Sequence, residues 1–418
     1  MAQPNKQAVP TVSRVEENQI IELIYDPVRH TTAFAIGQDG ACTIAPQLDL
    51  ARERIVPYAA SNNLIRHECV MLPSEPVPFG TREGLLADIE AYLHRYVDLS
   101  PLFERIAAHY VLLTWVFDAF NEVPYLRFQG DYGSGKTRAL MVLGSVAYRG
   151  FFASGASTVS PVFHTLDRFG ATLVLDEADL RYSDKTADLV KILNNGTVKG
   201  LPVLRTLQDR NKEFNPAAFS VYGPKIIAMR GTFRDEALES RFLTEAMGTR
   251  PLRSDIPIQL PDELRGEARQ LRNRLLHFRL TNLSAVHSDP SRLVPMIDPR
   301  LNQTALSLLS LMDDAGLRDE VATLLRQQQA ELTAIRAQAV EGRTLAAVAE
   351  IFSDPGRQMA SLQEIAQRVN TGPDNMTPLT PRDVGRLLRA HAFPLRKSHG
   401  TIVVPRDTAI ARLKSRAF

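Results

Sequence analysis

Cysteine is almost absent from this chain. Cys42 and Cys69 are its only two, with no CxxC spacing and no Cys/His clustering, so neither a disulfide framework nor a cysteine-held zinc site is supported. Long apolar runs are missing as well. No stretch approaches the roughly eighteen apolar residues needed to cross a bilayer, and the opening MAQPNKQAVPTVSRVEENQ has no apolar signal core. No membrane partner and a cytoplasmic location are therefore expected. A strong charge of either sign is also lacking, since the net charge is only +2. It is unevenly spread: residues 341–418 hold twelve Lys/Arg against seven Asp/Glu, a net of +5, which leaves about −3 for the rest by difference. With 418 residues, 44% of them hydrophobic and 23% charged, the chain has the composition of a globular protein with room for two or three domains.

What is present is a phosphate-binding pattern in full. Gly130 to Thr137 reads GDYGSGKT, matching G-x-x-x-x-G-K-[ST]. Residues 123–129, VPYLRFQ, read as a strand entering it, and residues 138–144, RALMVLG, as a helix leaving it. Gly130, Gly133 and Gly135 let the backbone curl so that its N–H groups, with Ser134 and the helix N-terminus, face an anion. Lys136 would then meet the β and γ phosphates of ATP, Thr137 would hold Mg2+ through its hydroxyl, and Arg138 flanks them.

Upstream, residues 1 to about 20 are polar and are expected to be disordered, and short apolar runs up to Leu72 suggest a small β-rich module. Two amphipathic helices follow, Thr81 to Tyr96 and Pro101 to Phe120, the second with Ser100 as N-cap. Beyond the loop, ATLVLDEAD reads as a strand ending in acids. Strand C-termini face the ligand crevice of an open α/β sheet, so Asp176 and Glu177 would emerge beside the phosphates. Asp176 suits a metal ion's water shell and Glu177 the polarisation of an attacking water, which favours hydrolysis over phosphate transfer to an acceptor. A Gly/Pro-punctuated stretch carrying Lys199 and Arg205 reads as a projecting hairpin, a candidate DNA contact. The strand Lys225 to Met229 should also end at the nucleotide, which puts Met229 or Arg230 at a γ-phosphate-sensing position. In DEALESRFLT, Arg241 follows a short helix and could serve a neighbouring subunit, or else pair with Glu236 or Glu239.

From Arg343 onward the chain has a winged-helix layout: three helices, the second opened by Ser361 and the third by Thr380, then a hairpin whose turn carries Arg396 and Lys397. On the third helix Val384, Leu387 and Leu388 face the core and leave Arg382, Arg386 and Arg389 outside. That basic face suits duplex DNA.

In this order GDYGSGKT, LVLDEAD, KIIAM and LESRF resemble the AAA+ ATPases, and within them the MCM-like helicases of mobile elements such as staphylococcal cassettes, plasmids and prophages. The resemblance covers about Leu102 to Leu280. It implies a ring, usually a hexamer, with ATP between subunits. It makes Lys136 and Thr137 the Walker A pair, Asp176 and Glu177 the Walker B pair, and Arg241 a trans-acting finger. The sensor strand departs from the family, ending in Ala228-Met229-Arg230 where a polar Asn or Thr is usual. The expected architecture is α/β, with a β-rich module at 1–75, a P-loop core at 76–250, a helical lid and connector at 251–340, with a second sensor among Arg265, Arg269, Arg272 and Arg274, and a winged helix at 341–418. The expected activity is ATP-dependent DNA unwinding or translocation. A DNA-binding loader or switch that uses ATP without unwinding, and a protein-remodelling ATPase, stay open beside it.

Overall fold

The computed structural model describes residues 7–16, 19–51, 53–154, 158–176, 184–208, 214–233, 235–338, 340–371, 378–398 and 400–414. Two compact units divide the chain, one of residues 1–295 with 299–323 and one of residues 296–298 with 324–418.

The first unit begins with β1 (Ala8–Thr11), β2 (Ser13–Glu16), β3 (Gln19–Asp26), β4 (Thr31–Gln38), β5 (Ala41–Ala45), β6 (Leu48–Asp49) and β7 (Arg54–Pro57). Strands β2 to β5 form an antiparallel meander, and β7 lies between β1 and β6 in a separate sheet. Residues 8–16, expected to be disordered, are thus two strands. Their own sequence is polar, but Val12 is a buried peg and β2 is paired along its length with the apolar β3. The expectation of disorder rests on composition, and pairing overrides it, of β2 with the adjacent β3 and of β1 with the distant β7.

After α1 (Asn63–Arg66) come α2 (Arg82–Tyr96) and α3 (Pro101–Val116). Thr81 caps α2 by accepting from the Gly84 N–H, and Ser100 caps α3 from the Phe103 N–H with Pro101 in its first turn. The α/β core then runs β8 (Tyr125–Gln129), α4 (Lys136–Val146), β9 (Phe151–Ser154), α5 (Val159–Phe169), β10 (Leu173–Asp176), α6 (Asp184–Asn195), β11 (Val203–Gln208), β12 (Phe214–Phe219), β13 (Lys225–Met229), α7 (Glu236–Glu239) and β14 (Phe242–Ala246). Five strands make one sheet in the order β14-β8-β13-β10-β9, and every neighbouring pair is parallel. Strand β13 is buried along its whole length, as a central strand with helices on its faces must be. Strand β14 has no counterpart among the elements expected from the sequence.

Helix α8 (Glu263–Asn282), read from sequence as a lid, lies on α2, α3 and α4 and against β4 and β5. A charged network ties these layers together. The Glu22 carboxylate of β3 accepts from Arg279 Nε of α8 at 2.8 Å, from Ser13 Oγ at 2.7 Å and from the Tyr148 hydroxyl at 2.9 Å, and it is ion-paired with Arg149. Arg279 also forks onto Asp118, both bonds at 2.7 Å. Glu22, Arg149 and Arg279 are each at most 2% exposed. The module at 1–75 and the P-loop core therefore share one compact unit.

Helix α9 (Pro299–Leu309) closes the first unit, and α10 (Ala315–Gln338) contributes residues to both. The second unit holds α11 (Val340–Ile351), β15 (Met359–Ser361), α12 (Leu362–Asn370), α13 (Pro381–Ala390), β16 (Arg396–Ser398), β17 (Thr401–Pro405) and α14 (Arg406–Lys414). Strand β17 pairs antiparallel with β15 and β16. A separate core of Val348, Ile351, Ile365, Val384, Leu388 and Val404 holds this unit together.

Burial by itself pushes the Glu22 carboxyl up, but the Arg149 and Arg279 guanidiniums outweigh it and hold the carboxyl below its ordinary value. Because the folded pKa is depressed, the stabilisation is complete above the unfolded value of about 4.3 and is lost as pH falls through the folded one. Glu22→Ala leaves two buried guanidiniums short of a partner and should cost about 3–5 kcal/mol in urea unfolding at pH 7. The difference from wild type should shrink in acid below the folded pKa.

Candidate nucleotide site

The phosphate loop is clamped by the strands on either side of it. The Gly130 N–H donates to Met229 O at the end of β13 (3.3 Å), and the Met247 N–H, just past β14, donates to Gln129 O at the end of β8 (2.6 Å). Gly133 and Gly135 are both left-handed, and α4 starts at Lys136 directly after them. Two further glycines are required by crowding. A Cβ on Gly130 would stand 2.5 Å from Met247 O, and one on Gly248, itself at φ +76°, would stand 2.9 Å from Ser134 Cβ. The segment after β14 is thus the outer wall of the loop, and nothing in its composition marked it as such.

Lys136 Nζ curls back onto the loop, donating to Gly130 O at 2.7 Å and Asp131 O at 2.6 Å. Its ammonium is held at the concave side of the turn. Thr137 Oγ1 donates to Asp176 Oδ2 at 2.8 Å. That bond spans two strand positions, because β13 lies between β8 and β10. A hydroxyl and a carboxylate so placed beside a phosphate-binding turn are the donor set Mg2+ takes next to a nucleotide, so the residues fit that ion. Glu177 lies outside the described residues.

Arg138 does not turn toward the loop. Its guanidinium donates to the Pro257 and Ile258 carbonyls and so straps the 256–258 segment onto α4. Beneath that strap a cavity of about 460 Å³ opens beside the loop, lined by Gly133, Ser134, Gly135, Gly248, Ile256 and Pro257 among others. Arg230 emerges at the end of β13, exposed, with its guanidinium over the Tyr132 ring.

Arg241 belongs to the other end of the sheet. It precedes β14, so it stands at the N-terminal edge of the sheet, about 16 Å or one strand length from the phosphate loop of its own chain. Nor does it face outward. It is 8% exposed, and its Nη1 donates to the Leu193 and Asn194 carbonyls at the end of α6. Burial first, and Arg300 second, lower its pKa. A cation on the last carbonyls of a helix satisfies their unpaired acceptors and the negative end of the helix dipole. The pairing with Glu239 is not made either, because Glu239 is bonded to Arg127 of β8 in a buried pair at 2.7 Å.

The projecting hairpin is real but displaced. It is made by β11 and β12, with a face bearing Leu204, Phe214 and Pro216 exposed, and residues 209–213 lie outside the described residues. Lys199 precedes it and donates to Asp118 O at 3.0 Å, and Arg205 is ion-paired with Asp188 at 3.0 Å. The stretch Gly200-Leu201-Pro202 leads into the hairpin, whose first strand starts at Val203. Of the second-sensor candidates, Arg272 is buried on the Leu72 and Ser145 carbonyls and Arg274 is paired with Asp88. Arg265 is exposed and Arg269 half-buried.

In the second unit Arg382, Arg386 and Arg389 are exposed on α13 while Val384 and Leu388 are buried beneath them. Thr380 and Asp383 form a reciprocal cap at the start of that helix, and Arg386 is 3.2 Å from Asp383. Arg396 and Lys397 are exposed on β16. No group of three or more His, Cys, Asp or Glu side chains able to hold a metal is found among the described residues, and no helix there is long and apolar enough to cross a membrane.

No protein-family model matches the chain, and no curated protein does. Solved structures do. The apo C-terminal region of NrS-1 aligns over 92% of this chain and 96% of its own, at 11% identity and a TM-score of 0.38. The active helicase Cch of SCCmec type IV aligns over 97% and 96%, at 13% identity and a TM-score of 0.37. The JCV helicase aligns over 65% of each chain, at 14% identity and a TM-score of 0.24. At such scores the likeness carries no argument about what this chain does.

Gly248→Ala should weaken nucleotide binding while leaving the fold cooperative. The left-handed backbone and the clash with Ser134 together cost about 1–2 kcal/mol at the loop, roughly tenfold in affinity. Titration of a fluorescent ADP checks this, with circular dichroism as the control for folding.

Proposed function

We propose that this chain is an ATP-hydrolysing DNA motor of the AAA+ type, a helicase or translocase that works as a ring, a hexamer being what its sequence resemblance implies. The observation that carries the nucleotide half of this reading is the Thr137–Asp176 bond at 2.8 Å beside a loop held open by Gly130, Gly133 and Gly135. Lys136 and the backbone N–H groups from Ser134 onward would bind the phosphates of ATP, and Thr137 with Asp176 would hold Mg2+. Mg2+ supplies charge neutralisation at the phosphates. Glu177, next in the chain, is the residue we assign to orienting water. Arg241, distant from its own loop, could complete the site of a neighbouring subunit only after release from the end of α6.

The DNA half rests on the second unit. Helices α11, α12 and α13 with the antiparallel β16–β17 hairpin support a winged-helix assignment, and five exposed cations, Arg382, Arg386, Arg389, Arg396 and Lys397, lie on α13 and β16. Such a lattice suits binding to phosphodiesters. The hairpin of β11 and β12, which carries Arg205, is the part of the core we assign to gripping the translocated strand, and Lys199, bonded to Asp118 ahead of it, is left out. Replication of a mobile element is the setting that the sequence resemblance suggests.

ATP hydrolysis should rise on adding single-stranded or forked DNA, and forks should open in the same tubes, with both activities abolished in Lys136→Ala. Hydrolysis indifferent to DNA, with closed forks, would sink the motor reading and turn the search to protein partners. DNA-dependent hydrolysis without fork opening would instead point to a loader or switch.

Replacing Arg382, Arg386 and Arg389 together by Ala should weaken duplex binding and flatten its dependence on salt. Each phosphate left without its arginine lowers the log–log slope by about 0.9, so a change of roughly 2–3 is expected. An unaltered slope would remove α13 from the DNA interface.

A further inference from the structure

The hairpin of β11 and β12 has two unlike faces. Side chains alternate across a strand, and residues paired across the antiparallel register point the same way. Val203, Arg205, Ala217 and Phe219 make the inner face. The Phe219 ring lies 4.8 Å from that of Phe163 and 4.6 Å from that of His164, both on α5, and Val203 and Phe219 are buried. Arg205 is turned inward with them: its guanidinium is 5.2 Å from the Phe163 ring and is ion-paired with Asp188 of α6.

The outer face carries Leu204, Thr206, Phe214, Pro216 and Ala218, all exposed. Leu204 is 68% exposed and Phe214 71%, so neither serves a core of this chain. None of the five is charged. A phosphodiester therefore finds no cation on this face, and the described cations at the root of the hairpin, Lys199 and Arg205, are held by Asp118 O and by Asp188. A protein strand is a poor match as well. A partner that extends a sheet needs an unbroken row of backbone donors and acceptors, and Pro216, which has no N–H, interrupts that row on β12.

An uncharged face with an exposed aromatic ring and aliphatic neighbours does match the flat surface of a nucleobase. Every base has a π-face, and in a single strand that face is free to stack on a side chain. In a duplex the bases stack on one another and show only their edges in the grooves.

We propose that the outer face of this hairpin holds single-stranded nucleic acid by its bases and not by its phosphates. Phe214 is the residue on which a base stacks, and Leu204, toward the root of the hairpin, is a second apolar contact. This deepens the motor reading above and rests on it. It also divides the work between two parts of the chain: the exposed arginines and lysine of α13 and β16 suit phosphates, whereas the hairpin selects unpaired bases.

The test is equilibrium binding of the full chain to a thymidine homopolymer and to an abasic strand of the same length, which has the same phosphates and no bases, each followed across a range of salt. Phe214→Ala should weaken binding to the thymidine strand by about tenfold, within the range of one base–aromatic stack, and leave the abasic strand within about twofold of wild type. The log–log salt slope should not change on either strand, since no phosphate contact is lost. Phe214→Trp, which keeps a stacking surface, should retain the wild-type preference, and Leu204→Ala should lose part of it. Both side chains are exposed, so folding is not at stake. Equal losses on the two strands, a shallower salt slope, or no loss at all would each overturn the proposal and leave the motor reading standing. No loss of binding together with altered sedimentation of Phe214→Ala would assign the face to a second copy of this chain instead. A wild-type chain that binds neither strand would overturn both readings.

Discussion

A buried carboxylate that cannot be left alone organises the first unit. Glu22 sits in the middle of an otherwise apolar strand, and an ionised acid there is tolerated only with its oxygens fully engaged. Its partners come from three other places in the chain: Ser13 of β2, Tyr148 and Arg149 ahead of β9, and Arg279 of α8. Arg149 even adopts a left-handed backbone, φ +48°, in meeting it. Because each partner belongs to a different layer, satisfying one acid fixes the meander, the parallel sheet and the long helix against one another.

That rigidity matters at the far end of the sheet. The phosphate loop is a strained, glycine-dependent turn, and it keeps its shape through backbone bonds to β13 on one side and the end of β14 on the other. The chemistry is distributed by strand direction. Groups at strand C-termini, Asp176 and Arg230, share an edge with the loop, while Arg241 and the Arg127–Glu239 pair belong to the body or opposite edge of the sheet.

Much of this was readable from residue order. The phosphate loop, the acid-ended strand, β13 and the capped helices α2, α3, α12 and α13 each carry a local signature: a glycine pattern, an apolar run of strand length, a Ser or Thr ahead of a helix. The misses have a common cause. β1 and β2 are polar strands whose stability lies in a partner; β14 is a five-residue strand with Thr244 and Glu245 in it; Gly248 matters through Ser134, more than a hundred residues away in the chain. Arg149 and Arg279 look like surface cations until Glu22 is placed between them. β2 leans on the apolar strand next to it, and what defines each of the others is a non-local neighbour.

Strand β13 has a further property that follows from where it begins. Its C-terminal end abuts Arg230 and the phosphate loop, and its N-terminal end lies a few residues from Phe219, the last residue of the β11–β12 hairpin. The five residues between are buried on both faces and hydrogen-bonded to a neighbour on each side, so the strand has no slack along its axis. It is about 16 Å long. One buried strand thus stands between the phosphate loop at its C-terminal end and the chain leading from the hairpin at its N-terminal end.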